Sequence, residues 1–127
     1  MRCSYCYVDP YSGTMTPETA RAVVDLAGRD AKRVGLIFFG GEPLLLRDLI
    51  TETVAYARKK EQKNECRYFF KITTNGLLLD DDFIDFSRRE GILRNSAFAT
   101  GRGRRRARTC PCKITLALSG EILYVGD

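Results

Sequence analysis

Between residues 16 and 93 the apolar positions alternate between helical and strand-like spacing. Ala20, Val23, Val24, Ala27 and Ala31 recur three and four apart. Thr16-Pro17-Glu18-Thr19 just ahead of them provides a hydroxyl for the free N–H groups of a first turn and a proline where a missing donor is harmless. A helix is therefore predicted from this point to near Arg33. Val34-Gly35-Leu36-Ile37-Phe38-Phe39 follows as a continuous apolar run of strand length, the pattern of a parallel strand covered on both faces, and Gly40-Gly41-Glu42-Pro43 stops it. Leu46, Ile50, Val54 and Ala57 restore a helical stripe that runs out in the polar stretch 58–65. Tyr68-Phe69-Phe70-Lys71-Ile72-Thr73 reads as a second strand, ended by Thr74-Asn75-Gly76. Asp80, Asp81 and Asp82 then suit a helix N-terminus, Arg88 and Arg89 suit its other end, and Gly91 can take the left-handed terminating conformation. Phe83, Ile84 and Phe86 would be the buried side of that helix.

The span from Val34 to Tyr68 is one strand–helix–strand repeat of the expected length, ~30 residues or more, and such crossovers are almost always right-handed. The class is α/β. A further strand is due near residues 92–99, but Arg94, Asn95 and Ser96 interrupt the apolar run. Residues 94–112 are rich in Gly, Ala and Arg, with Arg104-Arg105-Arg106 at the centre, and no regular element is expected there. Within 113–127, Ile114–Leu118 and Ile122–Val125 read as a short β-hairpin around Ser119-Gly120-Glu121.

Composition narrows the chemistry. An apolar fraction of 44%, with seven Phe and six Tyr, indicates a globular chain. No apolar run approaches the ~20 residues of a membrane span. The first residues do not resemble a secretion signal, so a cytoplasmic, reducing setting is expected, in which metal ligation outranks disulfides for the five cysteines. Histidine is absent, which excludes imidazole-based acid–base catalysis, His-containing triads and zinc sites that need imidazole. The net charge of +5 is localised: residues 1–93 carry fourteen basic and fourteen acidic side chains, and residues 94–127 carry seven and two. Arg102–Arg108 lacks interleaved aromatics, so a solvated segment is favoured over a nucleic-acid contact.

Cys3-Ser4-Tyr5-Cys6 is a CxxC pair, which by itself fits a zinc site, a redox pair or packing. Gly40-Gly41 and Thr74-Asn75-Gly76 by themselves read as turns. Their order matters more. In β/α barrels the loops at the C-terminal strand ends converge on one face, so residues 3–6, 40–43 and 74–76 are expected to meet.

With Cys3, Tyr5 and Cys6 in the last three marked places of a CxxxCxΦC pattern (Φ aromatic), Gly40-Gly41-Glu42-Pro43 after one strand and Thr74-Asn75-Gly76 after the next, the chain resembles the radical S-adenosylmethionine (SAM) superfamily over residues 1 to about 93. Residues 38–45 and 72–79 look most like the branch of anaerobic sulfatase-maturating enzymes and related peptide modifiers. The resemblance implies a fragment of a partial (β/α) TIM-type barrel with parallel strands. It implies a [4Fe–4S] cluster held by three thiolates, Cys3 and Cys6 among them, and SAM as the second cofactor. Tyr5 would pack near the adenine, Gly40, Gly41, Glu42 and Pro43 would receive the methionine amino group, and Thr74 and Asn75 would line the same pocket. Reductive cleavage of SAM would yield a 5′-deoxyadenosyl radical, with a protein reductant and a peptide or protein substrate as partners. The pattern's first cysteine would fall four positions before Cys3, upstream of Met1, so a truncated and inactive core is expected. A frame-shifted sequence after about Leu93 and self-association through open barrel edges are expected with it. The alternative is a four-thiolate zinc module built from Cys3, Cys6, Cys110 and Cys112.

Overall fold

The computed structural model describes residues 13–63, 66–96, 113–118 and 121–124. Helix α1 (Pro17–Ala27) starts as its sequence dictates: the Thr16 hydroxyl accepts from the Thr19 N–H at 3.2 Å, with Pro17 at the first position. It ends at Ala27, well before Arg33. At that end the Tyr68 hydroxyl donates at 3.0 Å to the Val24 carbonyl, which also accepts the helical Gly28 N–H. A Cβ on residue 28 would lie 1.9 Å from the Tyr68 hydroxyl oxygen, so the ring closes over a bare glycine at the helix end. Ala31 still packs against the core, but from the connecting segment.

Strand β1 (Arg33–Phe39) leads through a 3-10 turn (Pro43–Leu46) into α2 (Arg47–Glu61), then β2 (Arg67–Thr74), α3 (Asp81–Arg89) and β3 (Leu93–Ser96). β1 and β2 pair in parallel from Arg33↔Arg67 to Phe38↔Ile72, and β2 and β3 from Lys71↔Leu93 to Thr74↔Ser96. These are two successive β/α/β units, the partial barrel expected of the chain. β3 runs into the polar stretch that looked irregular, because a parallel ladder draws on backbone N–H and C=O groups and tolerates polar side chains on an edge strand.

The sheet is not wholly parallel. β4 (Lys113–Leu118) and β5 (Glu121–Tyr124) pair antiparallel with each other, and β4 lies antiparallel along β1 from Val34↔Leu118 to Phe39↔Lys113. The order is β3-β2-β1-β4-β5, so the β1 edge that a lone barrel segment would leave open is paired. Glu121 belongs to β5 instead of the turn.

Val34, Leu36 and Phe38 of β1 and Tyr68, Phe70 and Ile72 of β2 point toward Val24, Ile50, Val54, Ala57 and Phe83 of the helices, forming one core. The Phe38 and Phe70 rings stack with centroids 6.4 Å apart and planes 9° from parallel. Alternate residues are only half-buried, and Phe69 is 47% exposed, so the described residues cover one face of the sheet where the apolar run of β1 suggested two. Three parallel strands make an arc too short to fold back over its own inner face.

The Gly28–Tyr68 contact gives a sharp stability test. Gly28→Ala should cost about 1–3 kcal/mol through overpacking, and Tyr68→Phe in the same chain should recover part of that loss by removing the oxygen it strikes. Urea unfolding of the single and double variants measures this; additive losses would show that the hydroxyl is not the obstacle.

Candidate functional site

Parallel pairing points β1 and β2 the same way, so the segments that follow them emerge side by side. The register Phe38↔Ile72 sets the start of the 40–46 loop beside Thr73 and Thr74. Gly40 and Gly41 both have left-handed backbone, φ 94° and 45°, a conformation that a residue with a Cβ rarely adopts. The chain then returns to extended geometry at Glu42, and Pro43 opens the 3-10 turn at a position that needs no donor.

Glu42 is 1% exposed. Its Oε1 accepts from the Leu44 N–H at 3.1 Å and from the Thr74 hydroxyl at 2.6 Å, and its Oε2 accepts from the Asn75 N–H at 2.9 Å. One carboxylate thus caps the 3-10 turn and grips the end of β2. Thr74, itself 2% exposed, accepts the Gly76 N–H on its Oγ1 at 3.1 Å while donating to Glu42. The Asn75 side-chain oxygen accepts the Leu77 N–H at 2.9 Å, and Gly76 takes φ 76°, so the loop turns tightly toward α3.

A second tie lies nearer the surface. Arg47 Nη1, at the start of α2, stands 2.5 Å from Asp80 Oδ2, and Asp80 Oδ1 accepts the Phe83 N–H at 2.8 Å to cap α3. The Arg47 guanidinium also lies over the Phe83 ring, 5.4 Å from its centroid. The Arg47 hydrogen bond, with that from Phe83, holds the Asp80 carboxyl below the usual aspartate range. The beginnings of α2 and α3 are therefore tied just outside the Glu42 contact.

The opposite end of the sheet carries a different set of charges. Arg58 pairs with Glu61 at 2.9 Å and Glu90 at 3.4 Å, donates to the carbonyls of Tyr68 and Glu90, and lies over Phe70 at 4.8 Å. A cavity of about 780 Å³ opens there, lined by Arg58, Glu61, Cys66 and Tyr68 among others. Arg58, Glu61 and Glu90 there are engaged with one another, and burial pushes the Cys66 thiol up, away from the reactive thiolate. The cavity lies by the start of β2, away from the two glycine-containing loops.

Of the residues singled out in the sequence, the structure brings Gly40, Gly41, Glu42 and Pro43 together with Thr74 and Asn75. Cys3, Tyr5 and Cys6 lie outside the described residues, as do Cys110 and Cys112 of the zinc alternative. Among the described residues no group of three or more Cys, Asp or Glu could hold a metal ion, and no helix is long and apolar enough to cross a membrane. The Arg47–Asp80 tie was not legible beforehand. Acidic residues at a helix start were expected, but a cation 33 residues away leaves no local signal.

Fold and site together define a β/α-barrel segment that presents two braced, glycine-containing loops at the C-terminal ends of adjacent parallel strands. A model of the radical SAM superfamily matches residues 1–98, and the chain belongs to that superfamily. No curated protein matches the chain. The match extends through β3 and stops short of β4 and β5.

The Asp80 tie predicts an acid-side effect. A carboxyl whose folded value is lowered contributes stability that is complete above its unfolded value and is lost as pH falls through the folded one. Arg47→Met should move the Asp80 midpoint up toward the ordinary aspartate range in a carbon-detected NMR titration. An unchanged midpoint would show that Arg47 is not what lowers it.

Proposed function

We propose that this chain is the portion of a radical SAM enzyme that holds a [4Fe–4S] cluster and S-adenosylmethionine, acting on a peptide or protein. The observation that carries the reading is the junction of Gly40-Gly41-Glu42-Pro43 with Thr74-Asn75 at one end of a parallel sheet, inside a stretch matched by the superfamily. The residues present fit the methionine end of SAM. Two successive left-handed glycines leave backbone that a ligand can approach without meeting a Cβ, and the loop beside them is held in one shape.

In this reading Cys3 and Cys6 are two of the cluster thiolates, and Tyr5 packs by the adenine. Gly40 to Pro43 face the methionine amino group, while Thr74 and Asn75 form the adjoining wall. When bound and reduced, the cluster supplies the electron that splits the sulfonium of SAM. The chain's own work is ligation, orientation and exclusion of water. That division of labour suits a sequence with no histidine, because it asks no imidazole to move a proton. The likeness of residues 38–45 and 72–79 to peptide-modifying enzymes supports a peptide or protein substrate, and the electron calls for a protein reductant.

The sequence contains two cysteines of the three-cysteine pattern, so the test compares this chain with one lengthened upstream to provide a cysteine four positions before Cys3. After anaerobic reconstitution with iron and sulfide, the lengthened chain should hold about four irons and release 5′-deoxyadenosine from SAM on reduction. The 127-residue chain should form at least tenfold less nucleoside, and Cys6→Ala should abolish formation in either. A lengthened chain that stays colourless, or that binds one zinc through Cys3, Cys6, Cys110 and Cys112, would refute the proposal.

A further inference from the structure

Glu42 stands in the middle of the motif expected to meet the methionine amino group, yet its carboxylate is turned into the protein. At 1% exposure it keeps little water, and among the described residues no Lys or Arg is paired with it. A buried carboxylate without a cation is tolerated only when donors satisfy its lone pairs, and here three do: the Leu44 N–H, the Thr74 hydroxyl and the Asn75 N–H. Two of these come from the last residue of β2 and the one after it, 32 and 33 residues away in sequence. A carboxylate oxygen can only accept, so the Thr74 hydroxyl donates to Glu42 while it accepts from the Gly76 N–H. The run Gly76 N–H to Thr74 Oγ1–H to Glu42 Oε1 is directional, and it ends on the negative charge.

Gly40 and Gly41 have no side chains with which to hold their own conformation. Their shape is set by what flanks them: Phe39 in the sheet on one side and the anchored Glu42 on the other. From this geometry we infer that Glu42 is a positioning residue for SAM, one that acts through the Gly40-Gly41 backbone and the Thr74-Asn75 wall instead of touching the ligand. The inference rests on the SAM-binding reading given above. Replacing the carboxylate with an amide leaves one acceptor for three donors and turns an NH2 against at least one of them, so both loops loosen together.

The discriminating variants are at Thr74. If Glu42 contacted the ligand directly, Thr74→Val would leave Asn75 protected from exchange, and any loss of SAM binding would come from the altered pocket wall alone. If Glu42 acts as a brace, Thr74→Val weakens binding even though the carboxylate is untouched, and Thr74→Ser, which keeps the hydroxyl, restores it.

The experiment has two arms, each on Glu42→Gln, Thr74→Val, Thr74→Ser and the parent, all made in the chain lengthened upstream to provide a cysteine four positions before Cys3. Amide hydrogen exchange by NMR, without ligand, should show Asn75 and Gly76 exchanging at least tenfold faster in Glu42→Gln and Thr74→Val, with Leu44 faster in Glu42→Gln, and with Leu36 and Phe70 unchanged as a check on the fold. Equilibrium dialysis of SAM against the cluster-loaded protein should show at least tenfold weaker binding for Glu42→Gln and Thr74→Val and near-parental binding for Thr74→Ser. Parental SAM affinity in Thr74→Val, or parental exchange at Asn75 in Glu42→Gln, would overturn the inference. Should the parent bind no SAM while Leu44 and Asn75 remain protected, the functional reading falls and Glu42 is reduced to a structural brace, which overturns its positioning role as well.

Discussion

Two strands that run the same way cannot be joined by a tight turn, and the ladder from Arg33↔Arg67 to Phe38↔Ile72 imposes that condition on the whole chain. After Phe39 the backbone must return to the start of the sheet before it can pair again, and α2 is the return path. The same requirement, repeated, makes α3 the link between β2 and β3. Helices used this way pack on the sheet, and here they share one face, where Val34, Leu36, Phe38, Tyr68, Phe70 and Ile72 meet them. All the segments that leave the C-terminal strand ends then lie at one edge. The nearness of Gly40-Gly41 to Thr74-Asn75 is thus a consequence of strand direction before it is a matter of any side chain.

Stability and the candidate chemistry occupy opposite ends of this arrangement. By the start of β2, Arg58 joins α2, β2 and the end of α3 through two carboxylates, two carbonyls and the face of Phe70. Arg58 is about one-third exposed, and its bonds form a network, which makes it a stronger tie than Arg88–Asp85, whose side chains are 69% and 73% exposed. Exposed pairs of that second kind contribute ~0–1 kcal/mol. At the other end the polar groups serve shape: Glu42 joins two loops from within, and Arg47–Asp80 joins the helices that follow them from outside. In β/α barrels this division is common, with loops at one face free to specialise while the other face holds the fold.

The antiparallel hairpin sets this chain apart from a simple barrel segment. β4 runs against β1, and both β4 and β5 lie beyond residue 98, where the superfamily match ends. Pairing along β1 satisfies backbone groups that would otherwise be presented at an edge, leaving the four-residue strands β3 and β5 as the outer members of the sheet. Short outer strands offer little template for further pairing.

By itself the sequence determined the elements and the motif. Helical spacing located α2 to within a residue or so, the aromatic and β-branched run located β2, the aspartates marked the start of α3, and Gly91 takes the left-handed φ of 66° expected of a helix terminator. Those signals are local, set by a residue's preference and its neighbours three or four places away. Tertiary structure decided what depended on distant partners. Tyr68 seats over the end of α1, reaching back to Val24; β3 accepts polar residues because β2 is there to pair with; β4 lies antiparallel along a β1 edge that can accept a strand in either direction. Glu42 is the clearest case: sequence marked it as part of a ligand-facing motif, but only the fold turned its carboxylate inward, since two of its three donors come from the end of β2 and the residue after it, 32 and 33 positions away. Periodicity along a chain reports which face a residue takes, and a buried charge answers to whatever donors the completed fold brings within reach.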